Sequence, residues 1–185
     1  MSDYIATPYG TVEKRIMALA AEIRLLVCDV DGVLSDGRIY MGNDGEELKT
    51  FHTHDGFGIK ALLNAGIDVA VITGRSSNIV QRRMQALGVQ HIYQGQGDKL
   101  PAFEALLDKL GLSASQAAYI GDDVIDLPVM HNAALGIAVV NAHPLVLQKA
   151  DLVTRTSGGY GAVREVCDLI LQAHGQLDSA QGTSV

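Results

Sequence analysis

The sequence predicts an α/β fold: a parallel β-sheet with helices on both faces, plus one small β-hairpin flap. Three observations carry this. Short apolar runs alternate with helical periodicities along the chain, the pattern of a sheet wound through helical crossovers. Gly66, Gly88 and Gly111 each follow a helical run, where a left-handed C-terminal cap is expected. One segment breaks the alternation, and an Asp-Gly pair marks its tip as a hairpin turn. The architecture is Rossmann-like.

Taken in order, Val12 to Ile23 has the apolar spacing of an amphipathic helix. Leu25 to Cys28 is an unbroken apolar run, as expected of a strand covered on both faces. Arg38 to Met41 and Glu47 to Phe51 flank Gly42-Asn43-Asp44-Gly45 and form the flap. Helices are expected over Phe57 to Ala65, Asn78 to Leu87, Leu100 to Leu110, Ile125 to Asn132 and Ala162 to Leu171. Between them lie strands at Asp68 to Ile72, His91 to Tyr93, Ala117 to Ile120 and Leu135 to Val139, with Leu152-Val153 as a short edge strand. Gly175 to Val185 is polar and aperiodic, and physics alone favours a disordered tail there. The 185 residues suit one domain. Its expected parts are a core over 24–174, the flap over 37–51 and the tail over 175–185.

Composition narrows the function. A net charge of −7 argues against a nucleic-acid partner, because phosphate backbones need clustered Lys and Arg. No apolar run reaches the length of a membrane span. Met1-Ser2-Asp3-Tyr4 shows no secretory pattern, so a cytoplasmic location is expected. Cys28 and Cys167 read as small buried hydrophobes rather than as a disulfide or a zinc site.

The chemistry is carried by the strand ends, where open parallel sheets gather their ligands. The first strand runs into Asp29 and Asp31, whose i, i+2 spacing puts two carboxylates on one face. Holding two like charges together is costly unless a cation or a shared proton compensates. The second strand ends in Thr73-Gly74-Arg75. Lys99 follows the third and starts a helix. The fourth ends in Gly121-Asp122-Asp123, with Asp126 close behind. Carboxylates suit Mg2+ beside a phosphate, and a hydroxyl, a free N–H and a lysine suit the phosphate itself. Each residue taken singly has an ordinary explanation as a cap, a turn or a surface charge. Together, at successive strand ends, they predict phosphoryl transfer.

The segments DVDGV (Asp29 to Val33), VITGR (Val71 to Arg75), Lys99 and GDDVID (Gly121 to Asp126) resemble, in order, the four motifs of the haloacid dehalogenase superfamily. The resemblance implies Asp29 as nucleophile forming an aspartyl-phosphate and Asp31 as general acid/base. It implies Asp29, the backbone carbonyl of Asp31, and Asp122 as Mg2+ ligands, with Asp123 and Asp126 supporting that site. Thr73 and Lys99 would hold the phosphoryl group. No domain-sized insertion fits between the motifs, so the chain resembles the capless class.

FHTHDGFGIK (Phe51 to Lys60), the AHP at Ala142 to Pro144 and GGYGAVREVCDLIL (Gly158 to Leu171) resemble, more narrowly, the 3-deoxy-D-manno-octulosonate 8-phosphate phosphatase family. This implies a role in lipopolysaccharide synthesis. It also implies a homotetramer whose flap and C-terminal tail cover a neighbour's site, so the tail becomes a lid. Carried over by position, the contacts to a small sugar-acid phosphate are Asp31, His52, Thr53, His54, Asp55, Gly56, Lys60, Thr73, Gly74, Arg75, Arg83 and Lys99. The chain departs from the family at His54 and Lys60, where Arg is frequent. Two alternatives are weaker: a phosphatase for a nine-carbon sialic-acid-type sugar phosphate, and a phospho-receiver signalling domain. The receiver carries its phosphorylated Asp on a middle strand and needs no late acidic cluster.

Overall fold

In the computed structural model residues 3–182 are described. The elements are β1 (Tyr4–Thr7), β2 (Gly10–Glu13), α1 (Lys14–Glu22), β3 (Leu25–Cys28), β4 (Tyr40–Met41), β5 (Glu47–Leu48), α2 (Thr53–Asn64), β6 (Asp68–Ile72), α3 (Asn78–Leu87), β7 (His91–Tyr93), α4 (Leu100–Leu110), β8 (Ala117–Gly121), α5 (Leu127–Asn132), β9 (Leu135–Ala138), α6 (Pro144–Lys149), β10 (Leu152–Val153) and α7 (Ala162–Ala173). Six strands form one parallel sheet in the order β10-β9-β8-β3-β6-β7. β4 and β5 pair separately as the expected flap hairpin.

The order places β3 between β6 and β8, with Val27 opposite both Ala70 and Tyr119. The chain winds outward from β3 to β7 on one side, then returns to build β8, β9 and β10 on the other. The crevice at such a reversal is where parallel sheets bind ligands. β3 is buried along its whole length, and burying a Leu or Val there contributes about 1.5–3 kcal/mol. Helices α1 and α2 both pack against α7. The α2–α7 contact is close because a Cβ at Gly58 would sit 2.9 Å from Cys167 Cβ. Both cysteines are free and buried. Gly88 and Gly111 cap α3 and α4 in the left-handed conformation, as their positions predicted.

Four local features differ from expectation. Residues 12 and 13 belong to an N-terminal hairpin, in which Val12 pairs with Ile5, so α1 starts at Lys14. α2 starts at Thr53 because the His52 side chain accepts the His54 N–H. The glycines of DGFG hide that first turn from a propensity argument. The expected helix from Ile125 begins as a 3-10 turn over Val124–Asp126 and becomes α-helical at Leu127. α6 is a short helix that periodicity did not signal. Its cap is the His143 side chain, which accepts the Leu145 N–H. The last three residues of the expected tail, 183–185, lie outside the described residues.

Candidate active site

At the carboxyl end of the sheet, a cavity of about 290 Å³ is lined by Asp29, Asp31, Thr73, Gly74, Arg75, Lys99, Asp122 and Asp123, with Gly37 and Ile125. Asp29 continues β3, and its N–H donates to the Ile120 carbonyl of β8. Gly32 then turns with φ +90°, and a Cβ there would lie 2.1 Å from Asp122 Oδ2. Only glycine lets the loop after β3 pass this close to the second acidic loop.

The centre is a buried charge network. Lys99 Nζ lies 2.8 Å from Asp29 Oδ1 and 2.7 Å from Asp126 Oδ1. Burial alone would lower the Lys99 ammonium, but Asp29 and Asp126 outweigh it and raise it above its usual range. Burial, reinforced by the charge of Asp126 and opposed by Lys99, pushes Asp29 up to about 6. Burial and then the charges of Asp29 and Asp126 push Asp122 up to about 8. One lysine therefore leaves this acidic cluster under-neutralised, which is the condition that favours a bound cation.

Asp29, Asp122 and Asp126 each offer an oxygen, all within 4.8 Å of one another. Their roles in holding an ion differ. Asp126 Oδ1 accepts from Lys99 and Tyr119, and Oδ2 accepts the N–H groups of Asp122 and Asp123. Asp126 is thus spent on holding the loop. Asp29 and Asp122 remain as hard oxygen donors, and these fit Mg2+.

The surrounding motifs brace this centre. The Thr73 N–H donates to Tyr93, and its carbonyl accepts from Gln96, so the Gly95-Gln96-Gly97 loop supports Thr73-Gly74. The AHP segment holds the acidic loop through the His143 N–H, 2.7 Å from the Asp122 carbonyl. Gly158-Gly159 pack on the loop after Asp31, with the Gly159 N–H 2.8 Å from the Val33 carbonyl.

Not every predicted contact reaches this cavity. His52, Thr53, His54, Asp55 and Gly56 lie at the start of α2 and do not line it. A Cβ at Gly56 would lie 2.7 Å from Arg83 Nη2, so Gly56 and Arg83 are neighbours there. Asp55 turns inward and is 2% exposed. Its Oδ1 accepts the Arg164 N–H at 2.8 Å, because the N-terminal turn of α7 needs an acceptor. Lys60 lines a larger cavity of about 690 Å³ with Asn64, Asp68 and His91. That cavity opens at the amino ends of β6 and β7, the wrong end of the sheet for the strand-end chemistry.

The structure also adds Lys49, which the sequence reading missed. Its ammonium pairs with the Asp31 carboxylate although its side chain is only 2% exposed. Nearby, Arg75 Nη2 lies 3.3 Å from Glu47. The flap is therefore tied to the cavity at two points.

Comparison with known proteins agrees with this geometry. Residues 89–166 match the model of the haloacid dehalogenase-like hydrolase family. A 3-deoxy-D-manno-octulosonate 8-phosphate phosphatase of Escherichia coli K12 is 56% identical over 181 residues, covering 98% of this chain and 96% of its own length. The crystal structure of such a phosphatase from Yersinia pestis is 56% identical, covers 100% of both chains and superposes with a TM-score of 0.98. The Moraxella catarrhalis enzyme, in complex with magnesium, phosphate and the KDO sugar acid, is 48% identical. It covers 89% of this chain and 94% of its own, with a TM-score of 0.87.

Proposed function

Because the chain belongs to the 3-deoxy-D-manno-octulosonate 8-phosphate phosphatase family of haloacid dehalogenase-like hydrolases, we infer how its residues perform that hydrolysis. The protein is a Mg2+-dependent phosphatase that releases inorganic phosphate from the eight-carbon sugar-acid phosphate, a step of lipopolysaccharide synthesis. The observation that carries the site assignment is the placement of Lys99 against Asp29 beside Asp122.

In this reading Asp29 attacks phosphorus and forms an aspartyl-phosphate as the C8 oxygen departs. Asp31 gives that oxygen its proton, then takes one from the water that hydrolyses the intermediate. Thr73, the Gly74 N–H and Lys99 hold the phosphoryl oxygens. Mg2+ would be held by Asp29, Asp122 and the Asp31 carbonyl, with Asp123 and Asp126 behind them. When bound, it neutralises charge building on the phosphoryl oxygens.

Arg75, exposed at the cavity rim, faces the sugar-acid portion. His52, Thr53, His54, Gly56, Lys60 and Arg83 serve the cavity of a neighbouring subunit in a homotetramer, and Asp55 shapes their loop from beneath. Support comes from the flap, which leaves Ile39, Tyr40, Met41 and Leu48 exposed on the single chain. Such apolar side chains favour burial against another surface. The substrate carries several charges and does not cross a bilayer unaided, which supports action in the cytoplasm.

The test compares turnover of the purified protein with Mg2+ on eight-carbon and nine-carbon sugar-acid phosphates, with Asp29→Asn as the control. The eight-carbon compound should be strongly preferred. Preference for the nine-carbon compound overturns the substrate, and full activity of Asp29→Asn overturns the nucleophile. Light scattering should give the mass of four chains; a monomer would remove the neighbour's contribution.

A further inference from the structure

The strand that delivers Asp122 also carries Tyr119, a residue with no part in the chemistry above. Tyr119 is 0% exposed. Its hydroxyl donates to Asp126 Oδ1 at 2.6 Å and accepts from Lys99 Nζ at 3.3 Å. Burial, then Asp126 and Asp29, raise the phenol well above its ordinary range, so it remains an O–H donor.

The network closes around it. Asp126 Oδ2 takes two backbone N–H groups, from Asp122 at 2.9 Å and Asp123 at 3.1 Å. Its Oδ1 takes Tyr119 and Lys99. A lysine ammonium has three N–H bonds, and Lys99 finds three acceptors: Asp29 at 2.8 Å, Asp126 at 2.7 Å and the Tyr119 hydroxyl at 3.3 Å. Lysine is a flexible point donor with no fixed fork. Its aim at Asp29 therefore depends on what holds its other two hydrogens.

We propose that Tyr119 is a positioning residue for phosphoryl transfer: its hydroxyl fixes Asp126 Oδ1 and the Lys99 ammonium, so that one Lys99 N–H faces Asp29 and the phosphoryl oxygens. This rests on Lys99 holding the phosphoryl group. The competing view is that Tyr119 is core filling whose hydroxyl merely needs partners. The two differ in kinetics, because positioning acts on the transition state and filling acts on stability.

The experiment is Tyr119→Phe, which keeps the ring and removes the hydroxyl. With saturating Mg2+ and the eight-carbon substrate, kcat should fall about tenfold while KM changes less than about twofold, the pattern of an interaction made in the transition state. Inhibition by orthovanadate, which mimics the transferring group, should weaken about as much as kcat, while inhibition by inorganic phosphate and the Mg2+ requirement stay within about twofold. Unchanged kcat overturns the proposal. So does uniform weakening of vanadate, phosphate and Mg2+, which is the signature of a loosened core. If the Phe variant does not fold, Tyr119→Met removes the same hydroxyl and carries the same expectations. Lys99→Ala separates the two claims. Full turnover there sinks the role of Lys99, whereas a silent Lys99→Ala beside a fully active Tyr119→Phe sinks the positioning role alone.

Discussion

The ammonium of Lys49 is paired with the carboxylate of Asp31, and the two come from different parts of the molecule. Asp31 follows the central strand, while Lys49 follows the second strand of the flap. Lys49 also approaches Glu47 at 4.0 Å, and Glu47 in turn holds Arg75 at 3.3 Å. A hairpin that is otherwise exposed is thus wired into Asp31 and the cavity rim.

That pairing predicts how a flap substitution reads out. If Lys49 acts by aiming Asp31, Lys49→Met should slow turnover of the sugar phosphate by about tenfold, the rate equivalent of a charged hydrogen bond of about 1.5 kcal/mol. With p-nitrophenyl phosphate, whose leaving group needs little protonation, the loss should be much smaller. Asp31→Asn should show the same asymmetry, more strongly. Equal losses on both substrates would mean that Lys49 only supports the flap.

How much of this was legible beforehand follows from the physics of each residue. Asp29, Asp31, Thr73, Lys99 and Asp122 were readable because each ends or follows an apolar strand, and parallel topology brings strand ends to one edge. The flap was readable from Asp44-Gly45. Lys49 was not, since a lysine in a polar hairpin reads as solvated until the tertiary fold turns it inward. The structural partner of Asp55 was hidden for a related reason: the start of α7 arrives more than a hundred residues later. Tyr119 sits inside an apolar run and reads as packing. The N-terminal hairpin was missed although Pro8 and Gly10 offered a turn signal.

The raised carboxyls predict proton release on metal binding. Without an ion, Asp29 is pushed up to about 6 and Asp122 to about 8, so near pH 6 part of the cluster is protonated. A cation must expel those protons. Mg2+ affinity should therefore rise from pH 6 to about pH 8 and then level off. Calorimetry at pH 7 in two buffers of different ionisation heat should report released protons. EDTA should abolish turnover and Mg2+ restore it. An affinity flat across this range would contradict the ion-free ionisation pattern.

Asp55 predicts a second pH effect, on stability. Burial raises its carboxyl to about 7, against the N–H groups of Arg164, Gly161 and Val163 that favour the charged form. Its Oδ2 is buried and has no hydrogen-bond partner among the described residues. The folded value lies above the ordinary one of about 4, so the folded chain binds more protons between about pH 4 and 7. This stabilising contribution is complete below pH 4 and is lost as pH rises through 7. Asp55→Asn cannot ionise, so relative to the parent it should gain about 1–3 kcal/mol at pH 8 compared with pH 5, the range for a poorly satisfied buried group. Urea unfolding at fixed protein concentration measures this, and parallel pH profiles would refute it.

The last prediction concerns the tail. Beyond Gly175 the chain folds back along α2: the Gln176 N–H donates to Leu171, Asn64 Nδ2 donates to the Gln181 carbonyl at 2.8 Å, and Gly182 packs on Phe57. Leu177 and Ala180 are partly buried against the core. The tail therefore leads from the last turn of α2 toward its first, where His52 to Gly56 stand. A neighbour's cavity that receives this loop would receive the tail with it. Deleting the chain after Gly175 removes little core surface and leaves α7 intact, so a cooperative melt and the far-UV spectrum should persist. Steady-state kinetics should nonetheless change, through a higher KM for the sugar phosphate or an altered kcat if product release is gated. The small substrate p-nitrophenyl phosphate, which offers no sugar to enclose, should be affected less. Identical kcat and KM on both substrates would reduce the tail to a packing strip on α2 and remove the lid from the mechanism.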